Sequence, residues 1–347
     1  MSVAAILVAG PKPRWCGTPV EHSASSLETA TGVPLACLDV LGASVLARTI
    51  ERLQYAGVKA ISVITPSRVP CSALKASLPA VSIRQGSEAD DLWGLADEAT
   101  QYYVQQHVGE IALLRLGAYS EFNLADLVRF HRDKHQSATW VSDDQNLLDF
   151  WLIRAKRASE HPRTSITELF EQQAGAMPYI LSGYVNRLAN AQDLRRLAVD
   201  GFLSRCAVHP RGQEVTPGVW CADGAKAHRR ARIVAPAYLG VQTRVGADAL
   251  ITRSSTLERG CIVDHGTAVE DTSALPNTYL GRGLNVTHSI VSGNKLIHLR
   301  HNVMVEINDG YLGRTVASQA SGSQKRKVPE VNLMERILAT AWSQIIS

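Results

Sequence analysis

The chain has 347 residues, of which 45% are hydrophobic, and its formal net charge is +4 at pH 7. This length exceeds one typical domain, so two domains with separate cores are expected. The weak net charge does not favour nucleic-acid binding, and no segment approaches the ~20 apolar residues of a membrane span. No basic leader precedes the apolar start, and six cysteines are scattered without a Cys-x-x-Cys pair. Together these features favour a reducing, cytoplasmic location.

The first half of the chain alternates short apolar runs with amphipathic segments. Strands are predicted at 4–9, 60–64, 111–116 and 138–141, and helices at 45–56, 92–106, 124–135 and 185–201. This alternation predicts a mostly parallel sheet covered on both faces, with ligands at the carboxyl ends of its strands. Those ends begin at Gly10, Thr65 and Gly117. The stretch 143–171 shows no regular pattern, and Asp143-Asp144 is expected in an exposed turn.

The second half repeats itself every six residues. An apolar residue recurs at each sixth position from Val215 through Leu275, and a small residue follows four places later, with Tyr279 as the large exception. Helices repeat every three or four residues and strands every two, so neither fits a period of six. The period predicts a parallel β-solenoid, whose centre takes one apolar side chain per short strand. It resembles the left-handed β-helix of hexapeptide-repeat proteins.

Beyond the solenoid, the strict period is lost at 281–314, as expected of a terminating section. A polar linker is predicted at 317–327, and an amphipathic helix at 331–346. The predicted organisation is therefore an α/β domain at 1–205, a left-handed β-helix at 206–316, and a linker with a C-terminal helix at 317–347. Open ends and flat faces of the solenoid predict a homo-oligomer or a partner enzyme.

Four stretches of the first domain resemble the sugar nucleotidyltransferases, which join a sugar 1-phosphate to an NTP and release pyrophosphate. These stretches are 5–10, Pro34 with 40–42 and 46–53, 124–131, and 182–185. The resemblance implies a Rossmann-like nucleotidyltransferase domain, and the solenoid is similar to that of the mannose- and glucose-1-phosphate branches. It further implies a nucleotide side at Gly10, Lys12, Arg14 and Gly117, and a sugar side at Gly183 and Tyr184.

Several residues that this family's chemistry requires are missing. The phosphate loop reads Gly10-Pro11-Lys12-Pro13-Arg14, and each proline removes an N–H donor, so that Arg14 is the possible remnant of the site. Ala118 stands where the family has the aspartate that binds Mg²⁺. Val33 and Ala43 stand where it has lysines. Removing one preorganised charged group typically slows an enzyme about 10²- to 10³-fold, so these losses together predict impaired catalysis.

The sequence therefore predicts a degenerate nucleotidyltransferase homologue that binds a nucleotide or NDP-sugar, or acts as a regulator or scaffold. The resemblance places it in sugar-nucleotide or surface-polysaccharide metabolism. The alternative is an active, Mg²⁺-dependent enzyme in which Asp143 or Asp144 supplies the missing ligand.

Histidines give two further hypotheses. A hexapeptide acyltransferase would need a general-base histidine, for which the candidates are His265, His288, His298 and His301. His131 and His135 have the spacing of metal ligands on a helix, but the charged residues between them favour a solvated face.

Overall fold

The computed structural model describes residues 3–10, 26–67, 69, 81–87, 89–144, 146–155 and 177–316. Its helices are α1 (Ser26–Thr31), α2 (Val45–Tyr55), α3 (Ala89–Gln105), α4 (Leu124–Asp133) and α5 (Ala191–Phe202), with a 3₁₀ turn at Leu35–Cys37. Strands β1 to β11 are Val3–Val8, Asp39–Val40, Ala43–Ser44, Ala60–Pro66, Val81–Gly86, Glu110–Arg115, Tyr119–Ser120, Ala138–Ser142, Leu147–Arg154, Tyr179–Ile180 and Val185–Asn186. Strands β12 to β28 are Gln213–Thr216, Val219–Cys221, Lys226–Ala227, Arg232–Ile233, Ala237–Leu239, Arg244–Val245, Leu250–Thr252, Ser255–Leu257, Ile262–Val263, Ala268–Glu270, Ser273–Ala274, Thr278–Leu280, Asn285–Thr287, Ser289–Ser292, Lys295–His298, Val303–Glu306 and Gly313–Thr315.

Two predicted features at the C-terminus, the linker and the amphipathic helix within 317–347, lie outside the described residues. Among the helices that are described, none is long and apolar enough to cross a membrane.

The chain divides into two compact units. The first contains Met1–Ser25, Pro34–Cys37 and Val45–Ala189, and the second contains Ser26–Val33, Leu38–Ser44 and Asn190–Ser347. The second unit thus begins before the boundary predicted at residue 205. It includes α5 and two short segments from the N-terminal part of the chain, because their contacts are with residues far away in the sequence.

The first unit is built on a mixed, largely parallel sheet with strand order β10-β8-β9-β6-β1-β4-β5. Strand β1 runs parallel to both β4 and β6, whereas β9 runs antiparallel to β6 and β8. Ile6, Leu113 and Trp151 are fully buried in one hydrophobic core. Apolar strands and amphipathic helices give the α/β class in outline, as the sequence predicted.

Two parts of this unit, and one helix of the second unit, differ from the sequence prediction. The stretch predicted to be irregular contains β9, an apolar strand whose Phe150 and Trp151 are buried. Strand β5 was not predicted either. The helix predicted from residue 185 begins only at Ala191, because the Asn190 side chain caps it by accepting the N–H of Asp193 at 2.9 Å.

The second unit contains three sheets that the chain visits in turn. One sheet stacks β13, β16, β19, β22 and β25 in parallel, the next stacks β14, β17, β20 and β23, and the third stacks β15, β18, β21 and β24. Val219 pairs with Ala237, and Ala237 with Ser255, so each circuit takes three hexads. This arrangement is compatible with the predicted β-helix. Antiparallel strands close the two ends of the first sheet, β12 at one end and β26 with β27 at the other.

The six-residue period fails at its first position. Val215 is 53% exposed, and it lies in β12, whose four residues are all exposed. Strand β12 runs antiparallel to β13 and is therefore not part of the parallel stack. An apolar residue that fits the six-residue spacing therefore does not always lie in the core.

The period also shortens by one residue after Val269. Thr256 pairs with Ser273 and not with Ala274. The corner at Asp271 therefore has one residue fewer than the corresponding corner of the preceding circuit. Ala274, and not Leu275, continues the central row. The shift places Thr278, which is fully buried, in the small-residue position and moves Tyr279 out of it. The apparent exception at Tyr279 is thus an effect of register.

Candidate functional site in the first unit

The sheet of the first unit changes direction between β1 and β6. From β1 the chain adds β4 and β5 on one side, and then returns to add β6 on the other side of β1. Ligands of open α/β sheets bind at such a switch point, beyond the carboxyl ends of the strands. Here those ends are Val8, followed by Gly10, and Arg115, followed by Gly117.

An ion pair lies at this switch point. Arg115, the last residue of β6, donates from Nε to Asp149 Oδ2 at 2.8 Å and also pairs with it through Nη2. Its Nη1 donates to the carbonyl oxygen of Gly10 at 3.3 Å. Both ionic side chains are more than four-fifths buried. Charge-assisted bonds of this kind fix the guanidinium firmly at the ends of β1 and β6.

Two glycines at the switch point lie close to the ends of long side chains. A Cβ on Gly117 would lie 2.7 Å from Arg115 Nη2, so glycine makes room for the guanidinium. A Cβ on Gly10 would lie 2.6 Å from Leu92 Cδ1. Gly10 was predicted on the nucleotide side, and in the structure it packs against Leu92 of α3. Lys12 and Arg14 lie outside the described residues.

The residues predicted on the sugar side line a cleft of about 550 Å³. Its lining comprises Arg52, Tyr55, Ala56, Glu121, Phe122, Asn123, Leu124, Ala125, Leu181, Ser182, Gly183 and Tyr184. Arg52 stacks over the Tyr55 ring at 5.3 Å, and Tyr55 is 84% exposed. Tyr119 donates to Glu121 Oε1 at 3.1 Å. The cleft thus combines aromatic side chains with one acid and one guanidinium.

Gly183 is required by the backbone geometry of this cleft. A Cβ there would lie 1.8 Å from the carbonyl oxygen of Glu121, so any other residue would collide with the main chain. Strands β7 and β11 pair antiparallel beside it, and Glu121 N–H donates to the Tyr184 carbonyl at 2.8 Å. Gly183 and Tyr184 therefore lie together in the cleft. Its lining includes neither Gly10 nor Gly117 among the described residues.

Residues 40–42 of the second family-like stretch belong to the second unit. Residues 38–44 form the hairpin of β2 and β3, with Leu41 and Gly42 at its tip. Both tip residues have positive φ, and both donate their N–H to the carboxylate of Glu258 at 2.9 Å. Ala43, where the family has a lysine, belongs to this hairpin, and Val33 follows α1 in the same unit.

The aspartates proposed as substitute ligands lie in the turn between β8 and β9. Arg187 Nη2 donates to both oxygens of Asp143 at 2.6 Å, and the N–H of Asn146 donates to Oδ1 at 2.8 Å. Asp144 is exposed. Asp143 is thus held by the turn and by Arg187, and the structure does not bring it together with Gly117 or Ala118 in any described contact.

A magnesium ion does not fit the described residues of the switch point. Mg²⁺ requires oxygen ligands, usually one or two carboxylates with waters. Ala118 offers no side-chain oxygen, and the Asp149 carboxylate already faces the positive charge of Arg115. No group of three His, Cys, Asp or Glu side chains among the described residues is arranged to hold a metal.

His131 and His135 do not form a metal pair. His131 is fully buried, contrary to the predicted solvated face, and its Nδ1 lies 2.8 Å from Thr139 Oγ1. Burial lowers the pKa of His131 to about 4, with the charge of Arg154 acting in the same direction. His135 is exposed and has a positive φ. His131 is therefore a neutral core residue at neutral pH.

Three of the candidate acyltransfer histidines form one cluster in the second unit. The rings of His298 and His301 stack at 4.6 Å, and His288 lies edge-on to His298 at 6.5 Å. His288 Nδ1 lies 2.5 Å from Asp271 Oδ2, and Asp271 Oδ1 accepts two bonds from the buried Arg195. His265 instead faces Asp248 at 3.5 Å.

Sequence reasoning missed Arg115 and Asp149. Arg115 directly follows the apolar run Ile-Ala-Leu-Leu of β6, and Asp149 interrupts the apolar run Leu-Leu-Asp-Phe-Trp of β9. A buried strand tolerates a charge when that charge is paired or serves a ligand. This signal could have found both residues, although not their pairing, because β9 itself was not predicted.

Comparison with known proteins gives a limited likeness. No family model matches the chain, and no curated protein matches it either. Among solved structures, a similar chain is a Bacillus anthracis protein described as a glucose-1-phosphate thymidylyltransferase, solved with sucrose. It is 11% identical, with a TM-score of 0.40, and the match covers 57% of this chain and 94% of that chain. A likeness at this level assigns neither an activity nor a ligand.

Proposed function

We propose that this protein is a degenerate sugar nucleotidyltransferase homologue that binds a nucleotide or an NDP-sugar without efficient turnover. In this proposal it acts as a regulatory or scaffold protein of sugar-nucleotide or surface-polysaccharide metabolism. The family assignment rests on the sequence resemblance. One observation supports the loss of catalysis: Ala118 stands at the metal position, and the neighbouring carboxylate of Asp149 is paired with Arg115.

The negative charges of the two reactants explain why the loss of a metal ligand would impair catalysis. Nucleotidyl transfer brings an anionic sugar phosphate to an anionic triphosphate, and a metal ion normally offsets their repulsion. A divalent cation placed about 5 Å from a guanidinium would be repelled by about 7 kcal/mol at an effective dielectric of 20. This repulsion offsets the attraction of the Asp149 carboxylate, so the neutral Arg115–Asp149 pair offers no net negative charge to hold a metal ion. The cleft around Gly183 and Tyr184 supports the binding half of the proposal.

The test combines binding with turnover. Full-length protein is heated with NTPs, NDP-sugars and sugar 1-phosphates, with and without Mg²⁺, while pyrophosphate release is followed in parallel. A ligand that binds the folded state raises the melting temperature whether or not it reacts. We expect a shift with a nucleotide or NDP-sugar and no pyrophosphate above background. Rapid Mg²⁺-dependent pyrophosphate release would reject the proposal and favour the active enzyme with relocated ligands.

A second candidate function is acyl transfer at the Asp271–His288 pair. The short contact between Asp271 Oδ2 and His288 Nδ1 would orient the ring so that Nε2 accepts a proton from an acceptor hydroxyl or amine. The acceptor oxygen or nitrogen would then attack the carbonyl carbon of an acyl thioester. The C–S bond would break, and the leaving thiol would take the proton held by His288. The test is acyl transfer from a thioester to sugar acceptors by the unaltered protein and by His288→Gln, with His228→Gln, exposed and outside the histidine cluster, as the control. Equal rates in all three proteins would reject this candidate.

We further propose self-association through the second unit, as expected for a stack of sheets with open edges. Strands β14 and β15 are the first strands of their sheets, and Lys226 and Arg232 are exposed on them. Like charges at this edge disfavour contact between two such edges. We therefore expect a dimer that excludes this end, and a monomer in light scattering would contradict the proposal.

A further inference from the structure

The position of Arg115 gives the switch point an anion-binding character. Its guanidinium lies at the carboxyl ends of β1 and β6, where open α/β sheets bind ligands. A guanidinium carries five N–H donors, and the contacts with Asp149 and Gly10 engage one on each nitrogen. The second N–H of each terminal nitrogen has no further partner among the described residues.

The neighbouring residues hold the guanidinium in place and leave part of its surface accessible to a ligand. Arg115 keeps 16% of its side-chain surface exposed, and Asp149 keeps 18%. Gly117 provides the space beside Nη2 that any larger residue would fill. Arginine binds phosphate oxygens in a bidentate manner, so a phosphate that approaches this edge meets a preoriented fork.

We infer that Arg115 takes the place of the metal ion and binds a phosphate or diphosphate group directly, so that ligand binding at the switch point is independent of Mg²⁺. This inference deepens the proposed function and rests on it for the class of ligand. Asp149 then has an unexpected role. It holds Arg115 in place but competes with the phosphate for the same guanidinium, and it is not a metal ligand.

The two possible roles of Asp149 predict opposite results for one variant. If Asp149 bound a metal, Asp149→Asn would abolish ligand binding. If Arg115 is the anion-binding group, Asp149→Asn removes its competitor, and affinity stays the same or increases. The neutral amide can still accept a hydrogen bond from Arg115, so the guanidinium remains near its position.

The experiment is calorimetric titration of the full-length protein with inorganic pyrophosphate, in EDTA and in excess Mg²⁺. The variants are Arg115→Gln, Asp149→Asn, the Arg115→Gln/Asp149→Asn double variant, and Arg84→Gln as control. Arg84 forms an exposed ion pair with Glu98 in the same unit. The double variant leaves no unpaired charge, so it keeps the test valid if Arg115→Gln alone is unstable.

We expect binding in EDTA, equal binding by the Arg84 variant, and binding by Asp149→Asn at least as tight as that of the unaltered protein. Arg115→Gln and the double variant should bind about 10- to 100-fold more weakly, the effect of one charge-assisted bond. A requirement for Mg²⁺, loss of binding in Asp149→Asn, unchanged binding in Arg115→Gln, or no binding by the unaltered protein would each overturn the inference. Turnover in the pyrophosphate-release assay is measured separately and tests only the proposed function.

Discussion

Glu258 shows how a single side chain can fix a remote part of the chain. It is 1% exposed, and its two oxygens accept the N–H groups of Leu41 and Gly42. Leu41 has a φ of 52°, a left-handed conformation that a branched residue adopts at a cost of roughly 1 kcal/mol. Consecutive N–H groups in such a turn form an anion-binding concavity, and the carboxylate of Glu258 occupies it.

Glu258→Ala should therefore lower the free energy of unfolding by about 3 kcal/mol, because two buried N–H groups lose a charged acceptor. The measurement is the midpoint of urea unfolding, followed by circular dichroism. Glu306→Ala is the control, since Glu306 is exposed and its carboxylate bonds only with the partly exposed Asn294 side chain among the described residues. Equal midpoints for the two variants would show that the hairpin tip does not depend on Glu258.

His131 gives a prediction about pH. Its folded pKa of about 4 lies below the ordinary 6.5, so the unfolded chain binds the extra proton between these values. The stability that His131 contributes is complete above pH 6.5 and is lost as the pH falls toward 4, by about 2–3 kcal/mol. In His131→Phe the loss of stability between pH 6.5 and 4 should be smaller by this amount. His135→Asn, at an exposed left-handed position, should keep the slope of the unaltered protein.

The sequence best predicted those elements whose structure depends on residues nearby in the chain. Apolar runs predicted β1 and β6, and periodicity predicted α2 and α4 within a few residues. The Arg115–Asp149 pair spans 34 residues and depends on the placement of β9, so no local pattern could reveal it. The hairpin on Glu258 depends on a partner 217 residues away. Gly183 was found through the family resemblance, yet its steric reason is visible only in the structure.

At the scale of the element, the corners of the second unit depend on buried hydroxyl groups. Thr272 is fully buried, donates to the carbonyl of Glu270 at 2.8 Å and accepts the N–H of Ser289 at 3.3 Å. Ser255 and Thr243 bond similarly to backbone carbonyls of the following circuit. Small residues therefore recur at this position partly for their size and partly because their hydroxyls satisfy main-chain groups.

A matched pair of substitutions tests this role. Thr272→Val keeps the shape but leaves main-chain groups without a partner, and should lower the free energy of unfolding by about 1–2 kcal/mol. Thr256 is 1% exposed, and its hydroxyl has no partner among the described residues. Thr256→Val should therefore be neutral or stabilising. Equal destabilisation by both substitutions in thermal unfolding would show that packing, and not hydrogen bonding, selects threonine here.

At the scale of the whole molecule, the chain leaves and re-enters each compact unit several times before residue 45. The second unit needs Leu38–Ser44 to satisfy Glu258 and needs α5 to satisfy Asp271 through Arg195. Neither segment lies within the solenoid region predicted from sequence. The units are therefore compact without being continuous in the chain.

Cutting the chain at residue 205 should consequently damage the second unit. A fragment of residues 206–347 lacks the hairpin that binds Glu258 and the Arg195 that binds Asp271. We expect it to melt at least 10 °C below the second unit of the intact protein, since a loss of several kcal/mol shifts the midpoint by this order. Adding residues 26–205 in trans should restore part of the difference. An unchanged melting temperature for the isolated fragment would show that the predicted boundary marks an independent domain.

The contact between the hairpin and Glu258 can form only after most of the chain has been synthesised. Leu41 is synthesised 217 residues before its acceptor, which at about 5–20 residues per second is an interval of about 10–40 s. During this interval the hairpin tip lacks the carboxylate that stabilises its left-handed turn. Slowing or stopping translation before residue 258 should therefore leave residues 38–44 of nascent chains accessible to proteases and chaperones, and release of the rest of the second unit should end this accessibility.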